Sequence, residues 1–234
     1  MLKLRIPAYL VVLLASCFTL QAGNLIENFT DITTLSSSGW TVVNNSSPVG
    51  LTSWFQGNTS VFPAQAGPAN SYIAANFDNA AFGGNISNWL MTPVLTFYPY
   101  TVMTFYTRTE LEPPAADSLE LRFSSNGAST NVGSTASSVG DFTTLLLSIN
   151  PTLDLNGYPQ DWAQVAVNFS GLSSPITGRL AFRYAVPDTS VNADYIGIDT
   201  VDIADIPEPA TGGLIALGMA GVFLSRMFRR GKRS

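Results

Sequence analysis

Apolar and polar residues alternate along much of the chain between positions 25 and 204. The alternation is clearest in residues 119–124, 163–169 and 179–186. A period of two is typical of a strand that turns one side to a core and the other side to water. Together with the glycine, proline, asparagine and serine residues between the apolar stretches, the pattern predicts strands at 25–29, 40–44, 71–77, 89–97, 101–108, 119–124, 142–149, 163–169, 179–186 and 195–204.

These strands predict an all-β domain at residues 24–206. No helical periodicity precedes the C-terminal tail, so the chain lacks the crossover helices that parallel strands need. We therefore expect a two-sheet antiparallel jelly-roll sandwich. Residues 111–117 and 130–141, rich in proline or in serine, glycine and asparagine, are expected to form exposed loops.

The N-terminus has the organisation of a secretory signal peptide. Lys3 and Arg5 precede an apolar run at 8–20, and the small residue Ala22 follows at a plausible cleavage position. This pattern predicts a signal peptide at 1–22 and export through the Sec translocon. An alternative is a lipobox at residues 14–17, which would make Cys17 a lipidated N-terminus.

The C-terminal tail combines a proline-rich turn, an apolar segment and a basic cluster. The two prolines lock φ and remove backbone donors, so the folded domain is expected to end before them. The uncharged residues 210–225 would form a helix of about 24 Å, and extension to 228 predicts a transmembrane helix with the arginines on the cytoplasmic side. The residues assigned to this signal are Pro207, Glu208, Pro209, Arg226, Arg229 and Arg230.

In this order, the three parts of the tail resemble the PEP-CTERM sorting signal of Gram-negative bacteria. The resemblance covers residues 206–234 and implies recognition by an exosortase, a membrane enzyme that removes the tail. It also implies transient residence in the inner membrane, followed by delivery to the outer surface or the exopolysaccharide matrix.

The composition of residues 24–206 restricts the chemistry. They contain four arginines, no lysine and fifteen acidic residues, so nucleic acid is not an expected partner. The chain has no histidine, and its one cysteine is Cys17. The usual Ser-His-Asp and Cys-His arrangements, imidazole or thiolate zinc sites and disulfides are therefore excluded from the domain. Carboxylate chemistry and oxygen-ligated cations such as calcium remain possible.

Four short motifs in the domain resemble a known family. They are Glu-x-Phe at 27–29, Gly-Trp-x-Val at 39–42, Trp-Leu-x-Thr-Pro at 89–93 and Ile-x-Ile-Asp-x-Val at 196–201. In this order and spacing they look like the choice-of-anchor J domain, a relative of the cleaved-adhesin and MAM-like jelly-roll modules. The resemblance spans about residues 25–203.

Two acidic residues stand in apolar surroundings, Glu27 in the first predicted strand and Asp199 in the last. A buried carboxylate needs a cation or hydrogen-bond donors. In jelly-roll relatives, acids of the first and last strands can contribute to a calcium site. The resemblance therefore implies a structural Ca²⁺ at Glu27 and Asp199, helped by Asp78. The alternative is that these carboxylates accept N–H bonds from loops and hold no metal.

Aromatic residues suggest how the domain could bind a ligand. Trp162, on the solvent side of its strand, and the nearby Tyr158 are candidates for stacking on sugar rings; the alternative is that Trp162 caps a loop. For catalysis only acids qualify, and the candidate pairs are Glu110 with Glu112 and Asp188 with Asp194.

We expect a non-catalytic protein with an adhesive, structural or glycan-binding role. The alternative is a carboxylate-dependent enzyme acting on glycans.

The tail predicts that the mature protein lacks the residues beyond the 207–209 region. Intact-mass measurement of extracellular protein checks this expectation, and material that still ends at Ser234 would contradict it.

Overall fold

The structure is a computed structural model that describes residues 25–206. Within this range the chain forms thirteen strands, and every pairing between them is antiparallel. Two single 3-10 turns interrupt the strands, at Ile32–Thr34 and Phe77–Asn79. The strands are β1 (Leu25–Glu27), β2 (Thr41–Asn44), β3 (Ser47–Val49), β4 (Phe55–Gln56), β5 (Ile73–Asn76), β6 (Ala80–Met91), β7 (Leu95–Phe97), β8 (Thr101–Thr109), β9 (Leu119–Ser124), β10 (Thr144–Ile149), β11 (Ala163–Asn168), β12 (Ile176–Val186) and β13 (Tyr195–Asp205).

The first sheet has six strands in the order β11-β8-β13-β5-β4, with β1 beside the second half of β13. β13 is its central strand, because it pairs with β8 on one side and with β5 and β1 on the other. An irregularity between Asp199 and Asp202 interrupts the ladder to β8, and Thr200 adopts a φ of 48°. Such a bulge locally re-aims the side chains of a strand.

The second sheet has seven strands in the order β10-β9-β12-β6-β2, with β3 beside β6 and β7 beside β12. β2 and β3 share one side of the long strand β6, since β2 pairs with residues 88–91 and β3 with the segment near residues 80–85.

The main core lies between the two sheets and is rich in aromatic rings. Phe105 of the first sheet and Phe182 of the second meet edge to face, with ring centroids 4.9 Å apart. A second group joins Phe97, Phe123 and Phe169, with centroids 4.7 to 5.7 Å apart. Since the sequence cannot form a disulfide, this buried apolar surface is the main source of stability.

The first sheet is also covered on its outer face. Residues 57–72, here called the first cover segment, place Phe62 beside Tyr195 of β13, with ring centroids 5.3 Å apart. The guanidinium group of Arg108 lies 4.4 Å from the centre of the Phe62 ring. The outer face of this sheet is therefore a second, smaller core.

The second sheet is covered in the same way. Residues 130–142, the second cover segment, bury Phe142 against Trp89 of β6, with ring centroids 5.6 Å apart. The ring of Phe142 is fully buried. The backbone carbonyl oxygen of Phe142 accepts a hydrogen bond from Nη1 of Arg122 at 3.2 Å. This segment closes an apolar patch that β6 and β12 would otherwise expose.

The predicted antiparallel two-sheet sandwich is confirmed. The predicted strand at 89–97 is divided at Pro93 into β6 and β7, and β6 begins nine residues earlier than expected, at Ala80. β3 and β4 were not predicted, because β3 contains a proline and β4 has two residues.

One prediction about exposure is wrong, and a second holds in part. The polar side of 179–186 was expected to face water, yet Ala181 and Arg183 are buried there. Residues 130–141 form the expected loop and half of them are exposed, but Val132 and Ala136 are buried. The reason is the same in both cases, since the second cover segment packs on this face of the sheet.

The predicted signal peptide at 1–22 and the predicted transmembrane span at 210–228 both lie outside the described residues. Within residues 25–206, no helix has the length and apolar character needed to cross a membrane.

Replacing Phe142 with alanine is expected to destabilise the domain by about 3 to 4 kcal/mol, because the large ring that holds the second cover segment is lost. The matched control is Phe82→Ala, since Phe82 is 86% exposed and its loss should cost less than about 0.5 kcal/mol. Urea denaturation followed by tryptophan fluorescence measures both, and equal effects of the two substitutions would contradict the role of the segment.

Candidate functional site

The two aromatic residues that were predicted to bind sugars have different surroundings in the structure. Tyr158 is 2% exposed, and its hydroxyl group lies 2.6 Å from Oγ1 of Thr107. Burial raises the pKa of Tyr158 well above its usual range. A buried ring offers no face for stacking, so the prediction that Tyr158 is an exposed ligand-binding residue is corrected.

Trp162 lies against the first cover segment. Its Nε1 donates a hydrogen bond to the carbonyl oxygen of Pro63 at 2.9 Å, and its ring meets Phe62 and Tyr72 edge to face at 5.6 Å. These contacts agree with the alternative interpretation, in which Trp162 caps a loop.

Asp199 is fully buried and holds the same cover segment. Its Oδ2 accepts hydrogen bonds from the backbone N–H groups of Gln65 at 2.9 Å and Ala66 at 3.2 Å, and its Oδ1 accepts one from Thr200 at 2.6 Å. Burial raises the pKa of Asp199, although these three N–H groups oppose that effect. Donors therefore occupy the carboxylate, as the metal-free alternative expects, and a cation would have to displace them.

Of the other two residues of the predicted calcium site, Glu27 of β1 is paired with Val201, two positions along β13 from Asp199, and Asp78 lies farther away. Oε1 of Glu27 accepts a hydrogen bond from the N–H of Phe29 at 2.8 Å. Asp78 comes two residues after the end of β5, and this end of β5 pairs with Tyr195 at the start of β13. Tyr195 is about 13 Å along the strand from Asp199. Within residues 25–206, no group of three or more acidic residues is arranged to hold a metal ion. Calcium at these residues stays a prediction.

The structure gives the acids of the two predicted catalytic pairs different surroundings. Glu112 is exposed, and Asp188 is exposed and binds Ser190 of its own turn. Asp194 instead lies in the field of Glu110 and Asp117.

Asp117 is the centre of a buried polar network. It accepts hydrogen bonds from Oγ1 of Thr109 at 2.7 Å, from the hydroxyl group of Tyr184 at 2.5 Å and from the backbone N–H of Asp194 at 2.8 Å. Burial raises the pKa of Asp117 despite these donors. The network ties the loop before β9 to the start of β13 and stabilises the fold.

Asp194 is different, because its Oδ2 is buried and accepts no hydrogen bond from any of the described residues. Burial first, and then the charges of Glu110 and Asp117, raise the pKa of Asp194 to about 7. The carboxylate form of Asp194 is therefore a source of instability at neutral pH.

A groove with mixed polar and apolar walls lies on the outer face of the second sheet. Four residues form a row of paired positions across it: Ser148 of β10 is opposite Glu120 of β9, Glu120 is opposite Arg183 of β12, and Arg183 is opposite Trp89 of β6. The second cover segment buries the Trp89 end of this row and leaves the Ser148 end open. A cavity of about 300 Å³ occupies the open end, and its polar lining residues are Asn85, Ser118, Glu120, Ser137, Ser148 and Arg183.

Arg183 fixes the base of the groove. Its Nη1 lies 2.9 Å from Oε2 of Glu120, its Nε donates to Oγ of Ser87 at 3.0 Å, and its Nη2 donates to the carbonyl oxygen of Ala136. The guanidinium carbon lies 5.1 Å from the centre of the Trp89 ring. With all these partners, Arg183 is held in one position.

Glu120 is held by two arginines. Burial acts to raise its pKa, but the hydrogen bond from Nε of Arg122 at 2.6 Å and the charge of Arg183 outweigh burial and lower it below the usual value. The groove therefore presents an ionised, fixed carboxylate that accepts hydrogen bonds. It does not present a protonated acid.

The sequence contained a signal for this site. Glu120 and Arg183 stand at polar positions of two strands that show clear alternation, and Arg183 is one of only four basic residues in 24–206. Their pairing depends on the register between β9 and β12, which the sequence pattern does not reveal.

Asp194→Asn is expected to raise the melting temperature by about 3 to 6 °C at pH 8 and to change it little at pH 4. In the unfolded chain this carboxyl group titrates near pH 4, and in the folded chain its pKa is about 7. The folded state therefore binds more protons between these values, so stability falls as pH rises from about 4 to about 7.

The control for this prediction is Asp188→Asn, the same chemical change at an exposed carboxylate whose pKa is lowered by its hydrogen bonds to Ser190. Thermal melts across pH 4 to 8 measure both variants. A gain for Asp194→Asn that does not depend on pH, or an equal gain for the control, would refute the assignment.

Comparison with known proteins identifies the tail and the fold. Residues 205–230 match the PEP-CTERM protein-sorting motif. No curated protein matches the chain in sequence.

Solved structures similar to this chain include two cleaved adhesin domains of Lys-gingipain. The K1 domain, from Porphyromonas gingivalis W83, is 20% identical with a TM-score of 0.51, and the match covers 79% of this chain and 99% of that domain. The K2 domain is 19% identical with a TM-score of 0.50, and the match covers 77% of this chain and 97% of that domain. At this level of identity the likeness establishes the fold alone, so the chain carries a PEP-CTERM sorting motif behind a β-sandwich similar to cleaved adhesin domains.

Proposed function

We propose that this protein is an exported, non-catalytic glycan-binding protein of the Gram-negative cell surface. The sorting motif at 205–230 supports processing by an exosortase after export through the Sec translocon. On this proposal, the C-terminal segment holds the protein in the inner membrane until the tail is removed. The β-sandwich then acts at the outer surface or in the exopolysaccharide matrix.

The observation that carries the binding function is the groove on the second sheet. It joins a fixed carboxylate, Glu120, to a fixed guanidinium, Arg183, and to the hydroxyl groups of Ser137 and Ser148. Sugar hydroxyl groups both donate and accept hydrogen bonds, so the fixed acceptors and donors of the groove suit them, while its apolar lining residues can contact the C–H faces of the ring. The volume of about 300 Å³ is at the lower end of the range for small-ligand sites.

The charges of the domain favour a neutral glycan. Residues 24–206 carry fifteen acidic residues against four arginines, and two of these arginines are already paired with Glu120. An anionic polysaccharide would be repelled by this surface. Neutral saccharides avoid that repulsion and can still use the hydroxyl groups and the carboxylate of the groove.

The chemistry of the groove supports binding without turnover. Most glycoside hydrolases use two carboxyl groups, one of them protonated, about 5 to 10 Å apart. Glu120 is the one carboxylate among the residues that line the groove, and its pKa is lowered. The rival function, a carboxylate-dependent enzyme acting on glycans, would require a second acid to reach the bound sugar.

The proposal predicts that the exported protein binds neutral saccharides on a glycan array and releases no product from them. Ser148→Phe should lower the affinity about tenfold or more, because the ring fills the open end of the groove. Ser173→Phe is the matched control, since Ser173 is exposed and is not one of the residues that line the groove.

Each result has a defined meaning. A blank array, or equal affinities of the two serine variants, would refute glycan binding in this groove. Release of reducing sugar that disappears in Glu120→Gln would establish the enzyme in place of the binding protein.

A further inference from the structure

The glycan groove lies on the outer face of one sheet. A second cavity lies elsewhere, near the edges of the two sheets. β4 ends the first sheet and β2 ends the second; the lining residues include Thr41 and Val42 of β2, Trp54 directly before β4, and Ile73 of β5, which pairs with β4. The volume of the cavity is about 520 Å³, within the range of small-molecule sites. The lining residues are Ile32, Leu35, Ser36, Trp40, Thr41, Val42, Trp54 and Ile73, and none of them belongs to the glycan groove.

The chemistry of this cleft is apolar and uncharged. Two tryptophan rings, three aliphatic side chains and one valine at the mouth form its walls, and all the lining residues within 25–206 are neutral. An ionic ligand would lose its hydration here without gaining a partner of opposite charge. The polar groups that remain are the hydroxyl groups of Ser36 and Thr41 and the indole N–H groups.

The two indole N–H groups are the second, independent observation. Nε1 of Trp40 and Nε1 of Trp54 are both buried, and neither has a hydrogen-bond partner among the described residues. A buried donor without an acceptor is rare in folded proteins because it loses the hydrogen bond it makes to water. Here two such donors belong to the walls of one cavity, and an acceptor atom brought by a ligand would satisfy them.

One wall of the cleft is a short segment that lies outside both sheets. It consists of the 3-10 turn Ile32–Thr34 and Leu35, and Asp31 caps the turn by accepting a hydrogen bond from the N–H of Thr33 at 3.0 Å. Gln56 of β4 holds the start of the turn, since its Oε1 accepts from the N–H of Ile32 at 3.0 Å. Because both indole nitrogens are buried, binding through them requires this wall to move outward when the ligand enters.

We propose that the cleft between β2 and β4 binds a small, neutral, mainly apolar molecule that carries one oxygen acceptor, such as a carbonyl group. The apolar body of the ligand lies between Trp40, Trp54 and Leu35. The acceptor oxygen receives the hydrogen bond of an indole N–H. Charged amphiphiles are excluded by the absence of a counter-charge in the described walls.

Two neutral fluorescent probes test this site in protein purified from the surface of exporting cells without detergent. Prodan carries a ketone oxygen, whereas N-phenyl-1-naphthylamine has a similar apolar body and no oxygen. We expect saturable binding of both, with a dissociation constant for prodan on the order of 10 µM. Trp54→Phe should weaken prodan about tenfold and leave the naphthylamine unchanged, because phenylalanine keeps an apolar ring and removes the N–H.

Substitutions at the mouth locate the binding. Ser36→Trp should weaken both probes about tenfold or more by filling the entrance, while Ser37→Trp, an exposed neighbour that is not one of the cleft's lining residues, should leave them unchanged. Val42→Trp provides a second plug in case Ser36→Trp fails to fold, since Val42 is 41% exposed at the cleft. Circular dichroism confirms that each variant is folded.

The proposal is overturned if neither probe binds saturably, or if folded plug variants bind as the wild type does. It is also overturned if Trp54→Phe weakens the two probes equally, because the indole N–H would then play no part. These outcomes are independent of the glycan array, since the two sites share no residue.

Discussion

The second sheet and its cover segment depend on the contacts of the Arg183 guanidinium group. This group lies over Trp89, pairs with Glu120 and donates to the backbone of the second cover segment. A buried cation is unfavourable unless its charge and all its donors are satisfied. Satisfying Arg183 therefore fixes three things together: the register of β9 beside β12, the position of the cover segment and the base of the groove.

The same principle operates on the other sheet with the opposite sign of charge. Asp199 is buried and collects backbone N–H groups, two of which belong to the first cover segment. Each sheet thus uses one buried charge to fix a long loop over its outer face. The domain cannot form a disulfide. These loops add apolar packing on the outer face of each sheet to the core that the two inner faces share.

The sequence pattern predicted the strands well where one face alone is buried. Residues 163–169 are an example, since Val165 and Val167 are more buried than Gln164 and Ala166 in β11. It failed at β12, where Arg183 was read as a solvent-facing residue. Alternation shows which residues share a face, but it does not show that a segment fifty residues away in the sequence will cover that face.

The candidate sites show the same limit. Trp162 and Tyr158 are close in the sequence, but their rings have different positions. Trp162 caps the first cover segment, and Tyr158 is buried in the core. Glu120 and Arg183, which form the groove, are separated by more than sixty positions and meet only through strand pairing. The tail was the exception, because the sorting motif is contiguous and can be identified without knowledge of the fold.

The place of β13 in the first sheet links folding to sorting. β13 ends at Asp205, Ile206 still donates its N–H to the carbonyl oxygen of Tyr100, and the sorting motif begins at residue 205. During secretion from the N-terminus, this strand emerges last of the domain, yet β8 on one side and β5 and β1 on the other all require it as their neighbour. The first sheet can therefore be completed only when the residues next to the sorting motif are free to pair, so under the proposed function the tail is presented for removal at the moment when the domain can finish folding.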